Sequence, residues 1–355
     1  MRQDMMELTG LTLAELEQLM RSLDEPAYRA RQLRDWLIKG RGLDGMGNLP
    51  ASLLDKLQPL AIAQPARVLE RHESKTDGTQ KLLFGLPDGH TVEGVIMRYR
   101  HGITFCLSTQ VGCAMGCAFC ASTLQGKLRD LSAGEMASMC YLANQSTQPE
   151  PLSNLVLMGS GEPLDNYDQV LAFLRLITSR DSLHIGARHI SLSTCGLPDK
   201  MRSLAREGLP ITLSVSLHAP NDQVRRSIMP IARAYSMDEV LDACRDYISQ
   251  TGRRVVFEYA LIDSLNDQPA HARELAGRLR GMQCHVNLIP LNDVPERQLR
   301  ASGKEQAAQF QRILGELHIS ATIRRQLGDD IFGACGQLRV QRLKTSFVDH
   351  SEVKP

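Results

Sequence analysis

The chain of 355 residues lacks any long apolar run, and nothing in it approaches the roughly 18 apolar residues of a membrane span. Its first ten residues, MRQDMMELTG, hold neither an apolar signal core nor a cleavage pattern, so a cytoplasmic protein with no membrane partner is expected. Net charge is nearly absent too, at +1, so any nucleic-acid surface must be local rather than a property of the whole chain. No low-complexity tract suggests disorder. Nine cysteines over this length are not the dense framework of a small secreted domain. What is present, 43% hydrophobic residues, suffices for a large core with an appended module.

Three of the cysteines stand together, in Cys113-Ala-Met-Gly-Cys117-Ala-Phe-Cys120. A structural zinc takes four closed ligands, whereas three thiolates on a four-iron cluster leave one iron open to a small molecule. Gly112 and Gly116 lack a Cβ, so the loop can curl tightly around an inorganic core. A zinc site completed by a distant His or Cys is the other metal reading, and three core cysteines the plain one. The C-x3-C-x2-C spacing resembles the radical S-adenosylmethionine (radical SAM) superfamily. That resemblance implies a 4Fe–4S cluster on Cys113, Cys117 and Cys120, whose open iron holds SAM.

Residues 10 to 60 read as short helices. Thr12 and Glu15 form a capping box, and Leu16, Leu19, Met20 and Leu23 share a stripe. A second helix carries Leu33, Trp36 and Leu37 inward, and a third holds Leu53, Leu54 and Leu57. Arg29, Arg31, Arg34, Lys39 and Arg41 crowd this module, as a solvated face or as a contact to an RNA backbone. From about 66 to 107 the pattern turns to strands, with Lys81–Leu86 and Thr91–Tyr99 flanking a Pro-Asp-Gly turn. Glu93 shares a face with Val95 and Met97, so it lies at a frayed edge or in a site; burial would make it a better proton acceptor.

Beyond the cysteine loop, strands at 153–158, 188–194, 210–217, 254–262, 284–289 and 319–324 alternate with helices at 132–145, 166–178, 236–250, 268–280 and 304–317. This order predicts a parallel α/β sheet, open or closed into a barrel. In Ile211–His218 one face is apolar through Leu217 and the other is Thr212, Ser214, Ser216 and His218. A polar strand face suggests a wide or incomplete barrel around a polar ligand, or else an edge strand facing water. Gly161 and Glu162 sit in a strand-to-helix turn, Glu162 able to meet an ammonium. Ser193, Ser216 and Asn292 fall near strand C-terminal ends, where such sheets build ligand sites. Core packing is the default for the other cysteines. Two break the pattern: Cys335 sits in a Gly-Ala-Cys-Gly loop, and Cys106 ends the strand feeding the cluster loop.

Taken together, Arg29 to Trp36, FCLSTQVGC, GEPLDNYD, SLHAPND, VNLIPLN, GDDI and ACGQL resemble the RlmN/Cfr family of radical SAM RNA (adenine) methyltransferases, RlmN more than Cfr. The resemblance implies a partial (βα)6 barrel of radical SAM type. It places an N-terminal helical, helix-hairpin-helix-like RNA-binding module at 1–62, a β-hairpin segment at 63–100, the radical SAM core at 101–340 and a tail at 341–355. It implies that Cys335 is methylated by one SAM and that a second is cleaved to a radical that activates the methyl for attack on adenine carbon 2. Cys106 then releases the RNA through a transient Cys106–Cys335 disulfide, with Glu93 as proton acceptor. Gly161, Glu162, Ser193, Ser216, Leu217, His218 and Asn292 match the SAM-contact positions. The implied substrates are an adenosine in the peptidyl-transferase region of 23S rRNA and one beside the anticodon of some tRNAs. A monomer with an external reductant such as flavodoxin is expected. Cfr-like methylation at carbon 8 and a non-enzymatic, metal-stabilised RNA-binding protein are the competing readings. Ser160 stands where many relatives carry Met, and Phe332-Gly333 replaces the usual Asp-Ala, from which an altered packing of the Cys335 loop is expected.

Overall fold

The computed structural model describes residues 5–292, 294–333 and 337. Three helices form at the N-terminus, as the stripes predict: α1 (Leu13–Ser22), α2 (Arg29–Ile38) and α3 (Ala51–Leu57). The Thr12 hydroxyl accepts from the Glu15 N–H while Glu15 accepts from the Thr12 N–H at 2.6 Å, a reciprocal cap of the order of 1 kcal/mol. Leu16, Met20, Leu33, Leu37, Leu53 and Leu57 close on a small core of their own. Met6–Glu7 pairs in parallel with Ala61–Ile62 and ties the ends of the module together.

Ten strands then make one sheet whose spatial order follows the chain. They are β1 (Arg67–Glu73), β2 (Gln80–Gly85), β3 (Thr91–Tyr99), β4 (Gly102–Cys106), β5 (Leu152–Leu157), β6 (Ile190–Thr194), β7 (Thr212–Ser216), β8 (Val255–Leu261), β9 (Cys284–Pro290) and β10 (Ala321–Ile323). The first four pair antiparallel, and every pair from β4 to β10 is parallel. Parallel neighbours need crossovers, and α4 (Ala133–Thr147), α5 (Tyr167–Thr178), α6 (Pro198–Arg206), α7 (Asp222–Ile228), α8 (Met237–Thr251), α9 (Pro269–Leu279) and α10 (Lys304–Glu316) supply them. Ser132 with Glu135 and Ser236 with Glu239 cap α4 and α8 as Thr12 caps α1. The helices cover one face with a continuous apolar core that includes Phe105, Met136, Phe173, Leu213, Phe257 and Phe310. The other face of the parallel strands is the polar one. Six βα units and an unclosed sheet make the partial barrel of radical SAM type, with the helical module before it. Among the described residues no helix is long and apolar enough to cross a membrane.

Three features refine the sequence reading. The hairpin expected over 63–100 is present but not free-standing, because β3 hydrogen-bonds directly to β4 of the core sheet and β1 extends it further. The strand β7 is no edge: it pairs with β6 on one side and β8 on the other, so its serines face the concave side of the sheet. Arg34 does not belong to the basic face. It is 3% exposed, one turn from Ala30 on the buried side of α2, donating to the Leu11 carbonyl and lying beside Tyr141 of α4. Arg31, Lys39 and Arg41 remain exposed, and Arg29 is half-buried.

Candidate active site

The strand β4 ends at Cys106, and the chain runs on into a short ladder of Gln110–Gly112 with Lys127–Asp130. The cysteine loop projects from that ladder. Gly112 sits at φ +78, and a Cβ there would fall 1.9 Å from the Gly126 carbonyl, so only glycine lets the loop close on itself. The Cys113 N–H donates to that same carbonyl at 3.1 Å. The Thr123 hydroxyl reaches the carbonyls of Cys117 (3.2 Å) and Cys120 (2.9 Å), and Arg297 donates to Thr123 at 2.9 Å. From behind, the Ala118 N–H meets the Ile228 carbonyl at 2.8 Å.

Cys113, Cys117 and Cys120 line a cavity of about 140 Å³ at the C-terminal ends of the parallel strands. Among the described residues no three His, Cys, Asp or Glu converge tightly enough for a single ion; the thiols line the wall of a larger space instead. Burial pushes the Cys113 thiol up to about 12, with Cys120 and Glu162 adding to it, and raises Cys117 for the same reasons. Such thiols ionise only against a strong cationic partner. Three soft donors on one wall, with no carboxylate among them on the loop, fit an iron–sulfur cluster.

Gly161, Glu162, Ser193, Ser216, His218 and Asn292 line the same cavity. Leu217 does not. Its side chain is in the apolar core, as the alternation of its strand requires, and its N–H donates to the Glu258 carbonyl at 3.1 Å. Glu162 accepts the backbone N–H of Leu164 (3.0 Å) and of Cys195 (2.7 Å), so it braces two strand ends besides facing the cavity. Burial raises its carboxyl, and those two N–H groups oppose the rise. His218 accepts the Ala260 N–H on Nδ1 at 2.9 Å, which leaves its proton on Nε2. Burial and the nearby Arg225 cation pull this imidazole down to about 3, so it is neutral, with Phe119 packed edge-on at 4.6 Å.

A second, smaller cavity of about 30 Å³ lies beside the first and shares Met158, Ile289, Asn292 and Arg324 with it. Cys106 lines it with Val95, Met97 and Leu327, and Gly333 reaches it from the C-terminal segment. Cys335 lies outside the described residues. Glu93 is buried on the face of Val95, whose cross-strand neighbour is Cys106. Its burial is met by an ammonium: Lys81 Nζ stands 3.3 Å from its carboxylate.

Four residues of the site escaped the sequence reading. Gln110 accepts the Glu162 N–H (2.8 Å) and donates to Asp130 (2.7 Å) and Asp165 (2.8 Å), locking the cysteine-loop ladder to the Gly161–Glu162 turn. Glu258 is a buried carboxylate on the polar face, bonded to Asn287 at 2.9 Å; its place in the apolar run Val255–Leu261 gives the same signal as Glu93. Arg225, fully buried, donates to the Cys195 carbonyl at 2.6 Å behind the cysteine loop. Cys195, a core residue by default, lines the first cavity.

Residues 107–276 match the family model of the Radical SAM superfamily, and residues 6–63 match that of the Ribosomal RNA large subunit methyltransferase N-terminal domain. The chain is 48% identical over 344 residues to the "Probable dual-specificity RNA methyltransferase RlmN" of Clostridium tetani, covering 97% of this chain and 98% of that one. Identity to the protein of the same name from Alkaliphilus metalliredigens is 48% over 352 residues, with 99% and 98% covered. The crystal structure of a radical SAM methyltransferase from Sphaerobacter thermophilus superposes with a TM-score of 0.92 at 43% identity, over 94% of this chain and 99% of that one. The chain belongs to the RlmN family of radical SAM RNA methyltransferases.

Proposed function

We propose that this protein methylates carbon 2 of adenosine, in the peptidyl-transferase region of 23S rRNA and beside the anticodon of tRNA, through Cys335 and Cys106. The observation that carries the reading is the junction of the two cavities: Met158, Asn292 and Arg324 line both the space beside the three-cysteine loop and the space beside Cys106. Cys113, Cys117 and Cys120 would hold a 4Fe–4S cluster, and Gly161, Glu162, Ser193, Ser216, His218 and Asn292, with the backbone at Leu217, would hold SAM. When bound, the cluster supplies the electron that cleaves SAM.

Adenine carbon 2 lies between two ring nitrogens and is electron-poor, so it does not attack the electrophilic methyl of SAM. A thiolate does. Cys335 therefore takes the methyl of one SAM as a thioether, and a second SAM is used to remove one of its hydrogens so that the carbon can join the ring. Glu93, on the sheet face that carries Cys106, accepts the proton displaced there, with Lys81 holding its carboxylate in place. The one electron left in excess on the ring would return to the oxidised cluster. The Cys106 thiolate then attacks the Cys335 sulfur. An S–S bond forms, the S–C bond breaks, and the carbon keeps the electron pair and takes a proton to end as a methyl group. Two SAM are used per methyl transferred.

The test is an anaerobic reaction of the holoenzyme with reductant, SAM and RNA, read by nucleoside mass spectrometry. Formation of 2-methyladenosine, lost in Cys335→Ala, is the expected result. Formation of 8-methyladenosine overturns the assignment to carbon 2, and no methylated adenosine at all overturns the reading.

A further inference from the structure

Near the Cys106 cavity the 324–333 segment carries an aromatic ring with no place in the reaction above. Phe84, Phe105, Phe173, Phe257 and Phe310 are fully buried, but Phe332 is 52% exposed. It adjoins Gly333, which lines that cavity. Its φ of +50 lies in the left-handed region, which side chains with a Cβ rarely adopt. The turn holding it is pinned on both sides. The Gly333 N–H donates to the Gly328 carbonyl at 2.9 Å, the Gly328 N–H to Asp77 at 3.0 Å, and the Lys75 N–H to Asp330 at 3.1 Å. The β1–β2 turn thus presents the ring outward. The exposed Arg325 lines the same cavity and supplies a cation there, while Arg324, which also lines it, lies near the buried Glu258.

An exposed aromatic face next to arginines is the composition with which proteins hold unpaired nucleotides, the ring stacking on a base and the cations meeting phosphates. We propose that Phe332 is the stacking platform for the base next to the target adenosine, a subsite that rests on the RNA-methylating reading. An adenosine brought to Cys106 must leave its own stack, and its neighbour then loses a partner that Phe332 replaces.

The test uses full-length holoenzyme and RNA stem-loops of the two proposed substrates, with 2-aminopurine beside the target. The wild type and Phe332→Trp should quench 2-aminopurine. Phe332→Ala and Phe332→Gly should not, and their KM for RNA should rise about ten-fold, the effect of one lost base–aromatic stack, with kcat at saturating RNA retained. Phe332→Gly also suits the left-handed backbone, so it separates the ring from the fold of the turn. An unchanged KM in Phe332→Gly and Phe332→Ala overturns the proposal, as does a lowered melting temperature without a change in KM, which would mean that the ring covers another part of the chain. A wild type that methylates no adenosine sinks the underlying reading instead.

Discussion

The two cavities share Met158, Ile289, Asn292 and Arg324 and differ in the rest of their lining. Around the cysteine loop, polar side chains are spent on backbone groups: Glu162 on Leu164 and Cys195, His218 on Ala260, Gln110 on Glu162. Beside Cys106 the apolar side chains of Val95, Met97, Met158 and Leu327 share the lining with Asn292, Arg324 and Gln326. A site that binds a polar cofactor gains from donors and acceptors fixed in advance. In the proposed reaction the sulfur beside the second cavity must instead trade partners. Under the proposed function the first is a holding cavity and the second an exchange cavity.

The largest expected effects break that contrast directly. Changing any of Cys113, Cys117 or Cys120 to Ala should abolish iron and sulfide binding and with it all SAM cleavage. Cys106→Ala should keep iron, sulfide and SAM cleavage but stall with RNA covalently attached, visible as a nuclease-sensitive band on a denaturing gel. Normal turnover by Cys106→Ala with no trapped RNA would return that cysteine to the core and remove the exchange role of its cavity.

Stability sharpens the comparison next. Beside the exchange cavity, Lys81→Ala would leave the Glu93 carboxylate buried without the ammonium now 3.3 Å away. Removing one partner of a buried pair costs about 3–5 kcal/mol. Pairing it with Glu93→Gln should recover most of that loss in urea unfolding; no recovery would mean that Lys81 acts by packing alone.

Beside the holding cavity, the group to test is His218, whose imidazole sits at about 3 when folded. Unfolded, it titrates near 6.5, so the unfolded chain binds the proton first as pH falls. Stability is therefore full above about 6.5 and is lost downward toward the folded value, by about 1.4 kcal/mol per pH unit. His218→Asn keeps an acceptor for the Ala260 N–H and suits the φ of +54, so its unfolding free energy should fall less steeply between pH 7 and 5. An identical slope would place the acid sensitivity elsewhere.

The holding cavity was the more legible of the two in the sequence. Its ligand spacing is local, and the alternation in Ile211–His218 put Ser214, Ser216 and His218 on one face and Leu217 on the other, where the structure has them. Glu258 carried the same period-two signal as Glu93, and only a sheet with its concave side open shows that both matter. The surroundings of Cys106 were less legible, because β3, β4, β9 and the 324–333 segment meet there only after the sheet has formed. Gln110 and Arg225 act through backbone groups far along the chain, and no local pattern marks a side chain that braces two loops. Cys195 was lost to a composition rule that treats a single cysteine as packing.

The smallest effect concerns α2, where charge counting and geometry part company. Arg31 and Lys39 face solvent, and Arg29 stacks over Tyr28 at 4.9 Å, whereas Arg34 joins the module to α4. If Arg29, Arg31 and Lys39 meet phosphates, each releases counterions, and log affinity for RNA falls with log salt by about 0.9 per contact. Substituting Arg29, Arg31 and Lys39 with Ala should flatten that slope by about two to three while SAM cleavage without RNA is retained. Arg34→Ala should do the reverse, lowering the melting temperature and leaving the slope of the folded protein where it was. An unchanged slope in the triple variant would make the basic stretch a solvated face. A slope lost in Arg34→Ala alone would show that the module reaches RNA only when α2 is docked on α4.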